Sequence, residues 1–172
     1  MTNRSGTAWA SLGRGSRRAV RFFLVTTALT LLFIWGNSLL SRESSQQTSD
    51  FVEVYVRPVL HPALSPFMTA EDIDLIEIRK LAHFAEFFAL GFQLAILRYL
   101  LRWVRTVSLL LLALLPLFVA LVDEGLQFIS ARAPSLADVG IDWAGALTGI
   151  ALAWGITALV SRLRRAAEVR HA

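Results

Sequence analysis

Three short stretches of this 172-residue chain place ionisable side chains among apolar neighbours. The first, from residue 78, reads I-R-K-L-A-H-F-A-E-F-F-A-L-G. At helical spacing Arg79, His83 and Glu86 share one broad face, and Lys80, His83 and Phe87 an overlapping one. The second, from residue 122, reads V-D-E-G-L-Q-F-I-S, which sets Asp123 four residues and Glu124 three residues before Gln127. The third, from residue 138, reads D-V-G-I-D-W-A-G-A-L-T-G and spaces Asp138 and Asp142 by four. Arg132 lies in the connection before it. His83, Glu86, Asp123 and Glu124 are acid–base candidates. Arg79, Lys80 and Arg132 are the candidates for holding phosphate or carboxylate groups. Gln127 would orient a ligand or a water, and Asp138 and Asp142 would hold the arginine or the histidine. A histidine among several carboxylates also permits metal binding, but no familiar zinc or calcium motif is present. The sequence names neither a metal nor a cofactor.

The elements that carry these residues are apolar. Hydrophobic residues make up 55% of the chain and gather in four long blocks, with most charges between them. Four membrane spans of roughly 20 residues each would use about half the chain. What remains is too scattered for a second large core, which argues against a conventional soluble enzyme. The blocks run from about Arg21 to Leu40, Leu81 to Leu100, Val107 to Ile129 and Val139 to Val160. The basic start of the first also suits a signal peptide. No clear A-x-A site follows it and more apolar blocks come later, so an uncleaved span is expected. The expected organisation is a basic tail over 1–19, a four-helix membrane domain over 20–161 with an outer connection at about 41–80, and a basic tail over 162–172. Within the connection, S-R-E-S-S-Q-Q-T-S-D is expected to be irregular. F-V-E-V-Y-V-R-P-V-L fits a short amphipathic helix or a strand. Pro58, Pro62 and Pro66 are expected to interrupt any long element. Thr69 with Asp72 suggests a capping box from which a helix runs into the second span.

The formal net charge of +4 hides an asymmetry. Twelve of the 17 basic residues fall in the N-terminal region, the turn around Arg102–Arg105 and the C-terminal tail, which a four-span chain puts on one side. The long connection instead carries seven acids, from Glu43 to Glu77. Both termini are therefore expected in the cytoplasm, and the two longer connections outside. That topology brings all three polar stretches to one depth, at the outer ends of the last three helices. Unpaired charge in hydrocarbon is costly, so these residues should face a shared polar interior. No zinc-finger spacing or aromatic-interleaved basic strip points to nucleic acid. There is no cysteine, so disulfides and thiolate chemistry are excluded. Gly145 and Gly149 form a G-x-x-x-G that permits close helix packing, and Gly91 is expected to serve the same end. Gly125 would loosen the third span near its polar end. Trp35 and Trp103 suit the membrane interface, and Trp143 suits packing.

The ordered set of motifs resembles the VanZ-like membrane-protein family, named for a protein associated with glycopeptide resistance. The resemblance rests on R-K-L-A-H-F-A-E-F-F-A-L-G at 79–91, D-E-G-L-Q-F-I at 123–129 and R-A-P-S-L-A-D-V-G-I-D-W-A-G-A-L-T-G at 132–149. It covers roughly residues 22–160 and also takes in N-S-L-L-S-R-E-S-S-Q after the first span. The family pattern maps onto Lys80, His83, Glu86, Asp123, Glu124, Gln127, Arg132, Asp138 and Asp142. At the last of these positions many relatives carry Asn or Asp. The resemblance implies an all-α, four-helix integral membrane bundle with both termini cytoplasmic, in the bacterial inner membrane. It implies neither a reaction nor antibiotic resistance. The expected partners are membrane lipids. The leading expectation is recognition or modification of a phosphate-bearing envelope lipid or cell-wall precursor at the outer face. The alternatives are a noncatalytic membrane adaptor with a structural polar network, and a small transporter component. The sequence leaves the oligomeric state open.

Overall fold

The computed structural model describes residues 13–40, 42–66, 69, 78–101, 105–130 and 135–170. It is all-helical among these residues. The helices are α1 (Arg14–Ser38), α2 (Arg42–Leu64), α3 (Ile78–Leu101), α4 (Arg105–Ile129) and α5 (Leu136–Arg170). Four of them, α1, α3, α4 and α5, are long and apolar enough to cross a membrane. In none of the four is more than 33% of the most apolar window buried inside the protein. Leu29, Leu32, Phe33, Leu111, Phe118, Leu121 and Leu159 all point outward. A soluble bundle would cover such residues, whereas lipid tails solvate them.

The centre of the bundle is α3, which packs on α1, α4 and α5 and makes its most extensive contact with α5. Three glycines set that contact. A Cβ on Gly145 would strike the backbone carbonyl of Phe84, with the Phe84 Cα only 3.2 Å away. One on Gly149 would strike the Phe88 carbonyl and come within 2.9 Å of the Phe92 nitrogen. From the other side, a Cβ on Gly91 would meet the backbone of Ala146, with its carbonyl carbon at 2.7 Å. The two backbones therefore touch, as small residues allow. Beside this seam Ile34, Phe87, Leu90, Val119, Ala120, Val139 and Ala146 form the larger apolar core. Gly125 has open space around its Cβ position.

Four expectations about elements need correction. The stretch over 42–50, expected to be irregular, is the first part of α2. Pro58 and Pro62 do not interrupt α2 but lie inside it. Each proline removes one N–H, leaving the carbonyls of Val54 and Pro58 without their usual partners. Val54 and Pro58 are both exposed, so solvent or lipid headgroups can satisfy those carbonyls. Residues 14–19, expected to belong to a loose tail, are the start of α1. At the other end α5 continues past Val160 to Arg170. Extension of an existing helix is cheap, and the segment is rich in Ala, Arg, Leu and Glu, all good helix formers. Asp72, the expected capping-box partner of Thr69, lies with the rest of 70–77 outside the described residues, as does Trp103.

A further proline, Pro116, is fully buried in α4. In lipid a proline's disruption of the backbone must be made good by a neighbour. The Trp143 indole N–H, on α5, donates to the Ala113 carbonyl at 3.0 Å, in the turn before Pro116. Trp143 thus ties α5 to the weakened part of α4.

Candidate functional site

Because the spans alternate in direction, the C-terminal ends of α1 and α4 meet the N-terminal ends of α3 and α5. His83 and Glu86 lie in the first turns of α3, Asp123 and Gln127 in the last two turns of α4, and Asp142 in the second turn of α5. At 1.5 Å per residue, all lie within about 12 Å of a helix end. The close approach of Gly145 to Phe84 sets the distance between Asp142, one turn before Gly145, and His83, next to Phe84.

Asp123 and Asp142 are fully buried, Gln127 is 1% exposed and Glu124 5%. Gln127 organises the α4 side. Its Oε1 accepts from Arg79 Nη2 at 2.6 Å. A guanidinium can only donate, so this contact fixes the amide orientation. The amide nitrogen must then face the carboxylates, and it donates to Asp123 Oδ2 at 3.3 Å and Glu124 Oε2 at 3.2 Å. The other Glu124 oxygen accepts the backbone N–H of Ser135. Ser135 in turn caps α5, its Oγ accepting from the Asp138 N–H at 3.4 Å. Glu124 therefore has both oxygens engaged, one by Gln127 within α4 and one by Ser135 at the start of α5.

The first helix also reaches the site, which the three-segment reading missed. Ser38 Oγ donates to Asp123 Oδ1 at 2.6 Å, and Asn37 Nδ2 donates to Glu86 Oε1 at 3.1 Å. Ser130 Oγ lies 2.9 Å from both the Ser38 and Gln127 carbonyls, which joins the ends of α1 and α4. The signal for Asn37 and Ser38 was present, since they are polar residues ending an apolar span at the same depth as the acids. Deeper in the bundle, Gln93 Nε2 donates to Thr30 Oγ1 at 3.1 Å and links α1 to α3.

His83 stands between the two buried aspartates. Its Nδ1 is 3.5 Å from Asp142 Oδ1 and 3.9 Å from Asp123 Oδ2. These are ion-pair distances, too long or misaligned for hydrogen bonds. Among the described residues His83 Nδ1, Glu86 Oε2 and both Asp142 oxygens are buried with no hydrogen-bond partner. Arg79, Lys80, His83, Asp138, Ile141 and Asp142 line one cleft of about 190 Å³ including its open mouth. Its interior admits about 10 Å³, room for a single water-sized sphere. Nine of the candidate polar residues are thus gathered at one end of the bundle, while Arg132 lies outside the described residues. Trp35 is half-buried against the apolar core, and its indole nitrogen also has no hydrogen-bond partner among the described residues.

A bundle of four apolar helices, with buried charge concentrated at one end, defines a multi-pass integral membrane protein with a polar end site. The VanZ/LLP1 family profile matches residues 22–160, and the chain belongs to that family. No curated protein and no solved structure matches it.

Proposed function

We propose that this VanZ-like protein recognises or modifies a phosphate-bearing envelope lipid or cell-wall precursor at the outer face of the bacterial inner membrane. In this reading both termini are cytoplasmic, and residues 20–161 form one membrane domain between two basic tails. The observation that carries it is the cleft. Arg79 and Lys80 line it together with His83 and Asp142, and His83 Nδ1 and both Asp142 oxygens have no hydrogen-bond partner among the described residues. A network that served only to hold helices together would satisfy those atoms, because each unsatisfied buried group costs about 1–3 kcal/mol. Arg79 uses one donor on Gln127 and carries five, so it can hold an anion at the same time. Arg79, Lys80 and Arg132 are assigned to the phosphate. His83, Glu86 and Asp123 are the acid–base groups. Gln127, Asp138 and Asp142 orient them, and Glu124, with both oxygens engaged, belongs to positioning.

One observation favours the adaptor reading. Asn37, Ser38, Arg79 and Gln127 join three helices by direct side-chain bonds. Transport has less support, since the buried charged residues among those described are Asp123, Glu124 and Asp142, all at one end. Lipid binding separates the first two readings. The purified chain in detergent should bind a polyprenyl phosphate or an anionic phospholipid saturably and a neutral diacylglycerol weakly. Glu86→Gln, Asp123→Asn and Arg132→Ala should each impair that binding in a protein that remains helical and monodisperse. Normal binding by all three variants would sink the proposal.

A further inference from the structure

We propose that His83, Asp123 and Asp142 form a site for one divalent transition-metal cation of the zinc or manganese type. Each residue offers one ligand atom, and the three atoms lie within 4.8 Å of one another. Ligands at ordinary zinc distances in a tetrahedral site are about 3.4 Å apart. The separations from His83 Nδ1, 3.5 and 3.9 Å, lie close to that value, and the two aspartates, within 4.8 Å of each other, close in on the ion by side-chain rotation.

Three further observations point the same way. Asp142 is fully buried with neither oxygen hydrogen-bonded among the described residues, and it lines the cleft beside His83. Two buried carboxylates face one imidazole, which supplies at most one positive charge. The hydrogen bond of Arg79 goes to the neutral amide of Gln127 rather than to either aspartate. A divalent cation would complete the charge and supply the partner that Asp142 lacks. Finally, Asp123 is already oriented as metal-ligating carboxylates are, by Ser38 on one oxygen and Gln127 on the other. The imidazole favours zinc over calcium or magnesium, the two carboxylates also suit manganese, and the absence of cysteine removes the thiolate chemistry that selects softer metals. Three protein ligands leave a coordination position open. The cleft has room for one small ligand there, with Arg79 and Lys80 on its wall.

This inference rests on the geometry of the three ligands; it gives His83 and Asp123 a ligand role in place of the acid–base role above and leaves the headgroup contacts of Arg79 and Lys80 as they are. The test uses the full chain in detergent, stripped with EDTA and titrated with Zn²⁺ or Mn²⁺ alone, without lipid. The native protein should take up about one equivalent of one of these ions saturably, with a rise in its unfolding temperature. Asp142→Asn and His83→Gln should weaken binding by more than about 100-fold, beyond the usual loss for an outer partner. Ser38→Ala should weaken it by about tenfold. Glu53→Gln, in the remote α2, should leave it unchanged. No saturable uptake of either ion by the native chain overturns the proposal. So does native affinity in both ligand variants. If one variant fails to fold, the native titration and the other variant decide. Lipid binding in EDTA by a chain that takes up no metal overturns the metal site and leaves the headgroup reading standing.

Discussion

Ser38 illustrates how much a small polar residue can matter at the end of a span. Its hydroxyl serves a carboxylate that is fully buried. Ser38→Ala leaves that oxygen without its donor and should cost about 1–3 kcal/mol, read from unfolding in detergent. Thr148→Val removes only an exposed side-chain bond within one helix and should change stability by less than about 0.5 kcal/mol. Gln127 offers a sharper check. Gln127→Glu replaces the donor between Asp123 and Glu124 with another acceptor. Asp123→Asn restores a donor opposite it, so the double variant should recover about 1–3 kcal/mol relative to the sum of the singles. A strictly additive cycle would contradict the Gln127 geometry. The acids and the histidine were legible because charge inside an apolar block is conspicuous. Asn37 and Ser38 were not, because polar residues at the end of a span also occur as ordinary boundary groups. Only the fold shows which carboxylates they face.

At the scale of elements, close backbone approach dominates. Gly149→Leu must separate α3 from α5 and should cost about 3 kcal/mol, at the upper end for overpacking. Gly155, on the same helix with nothing near its Cβ position, gives the opposite expectation. There Gly155→Ala should gain about 0.5–1 kcal/mol by lowering the backbone entropy lost on folding. Thermal unfolding of the two variants side by side tests the contrast. Helical periodicity and block length made the four spans readable. The extent of α2 was not readable, because prolines were weighed as breakers without knowing that the carbonyls they release are exposed. The outer limits of α1 and α5 were hidden for a related reason. Charged residues mark the edge of hydrocarbon, yet a helix does not end where the hydrocarbon does.

The whole molecule is polarised. One end gathers the buried carboxylates, His83 and the Ser135 cap. The other carries Arg98, whose guanidinium sits 6.0 Å from the ring centre of Trp154. The absence of cysteine allows single cysteines to report topology. An impermeant thiol reagent added outside intact cells should label position 45 and spare positions 16 and 171. The reverse pattern would invert the proposed orientation. The helix between the first two spans tests the same frame. Phe51, Val54, Tyr55 and Val59 are each more than 60% exposed on α2. An amphipathic helix of this kind lies in the membrane interface. Tyr55→Trp should therefore give fluorescence that bromine-labelled lipid chains quench, while a tryptophan in place of Arg165 should be quenched less. Equal quenching at the two positions would count against an interfacial α2.

The bond between Ser38 and Asp123 joins residues 85 positions apart in the chain. Ribosomes add about 5–20 residues per second, so Ser38 is made roughly 4–17 seconds before its partner. Asp142, made later still, is the last of the buried acids to arrive. For that interval Ser38, and then His83, wait in or beside the membrane with their acidic partners unmade. The insertion machinery, or the lipid headgroups next to it, must shelter these residues until the last span is threaded. The order of synthesis thus leaves the site incomplete until almost the whole chain exists.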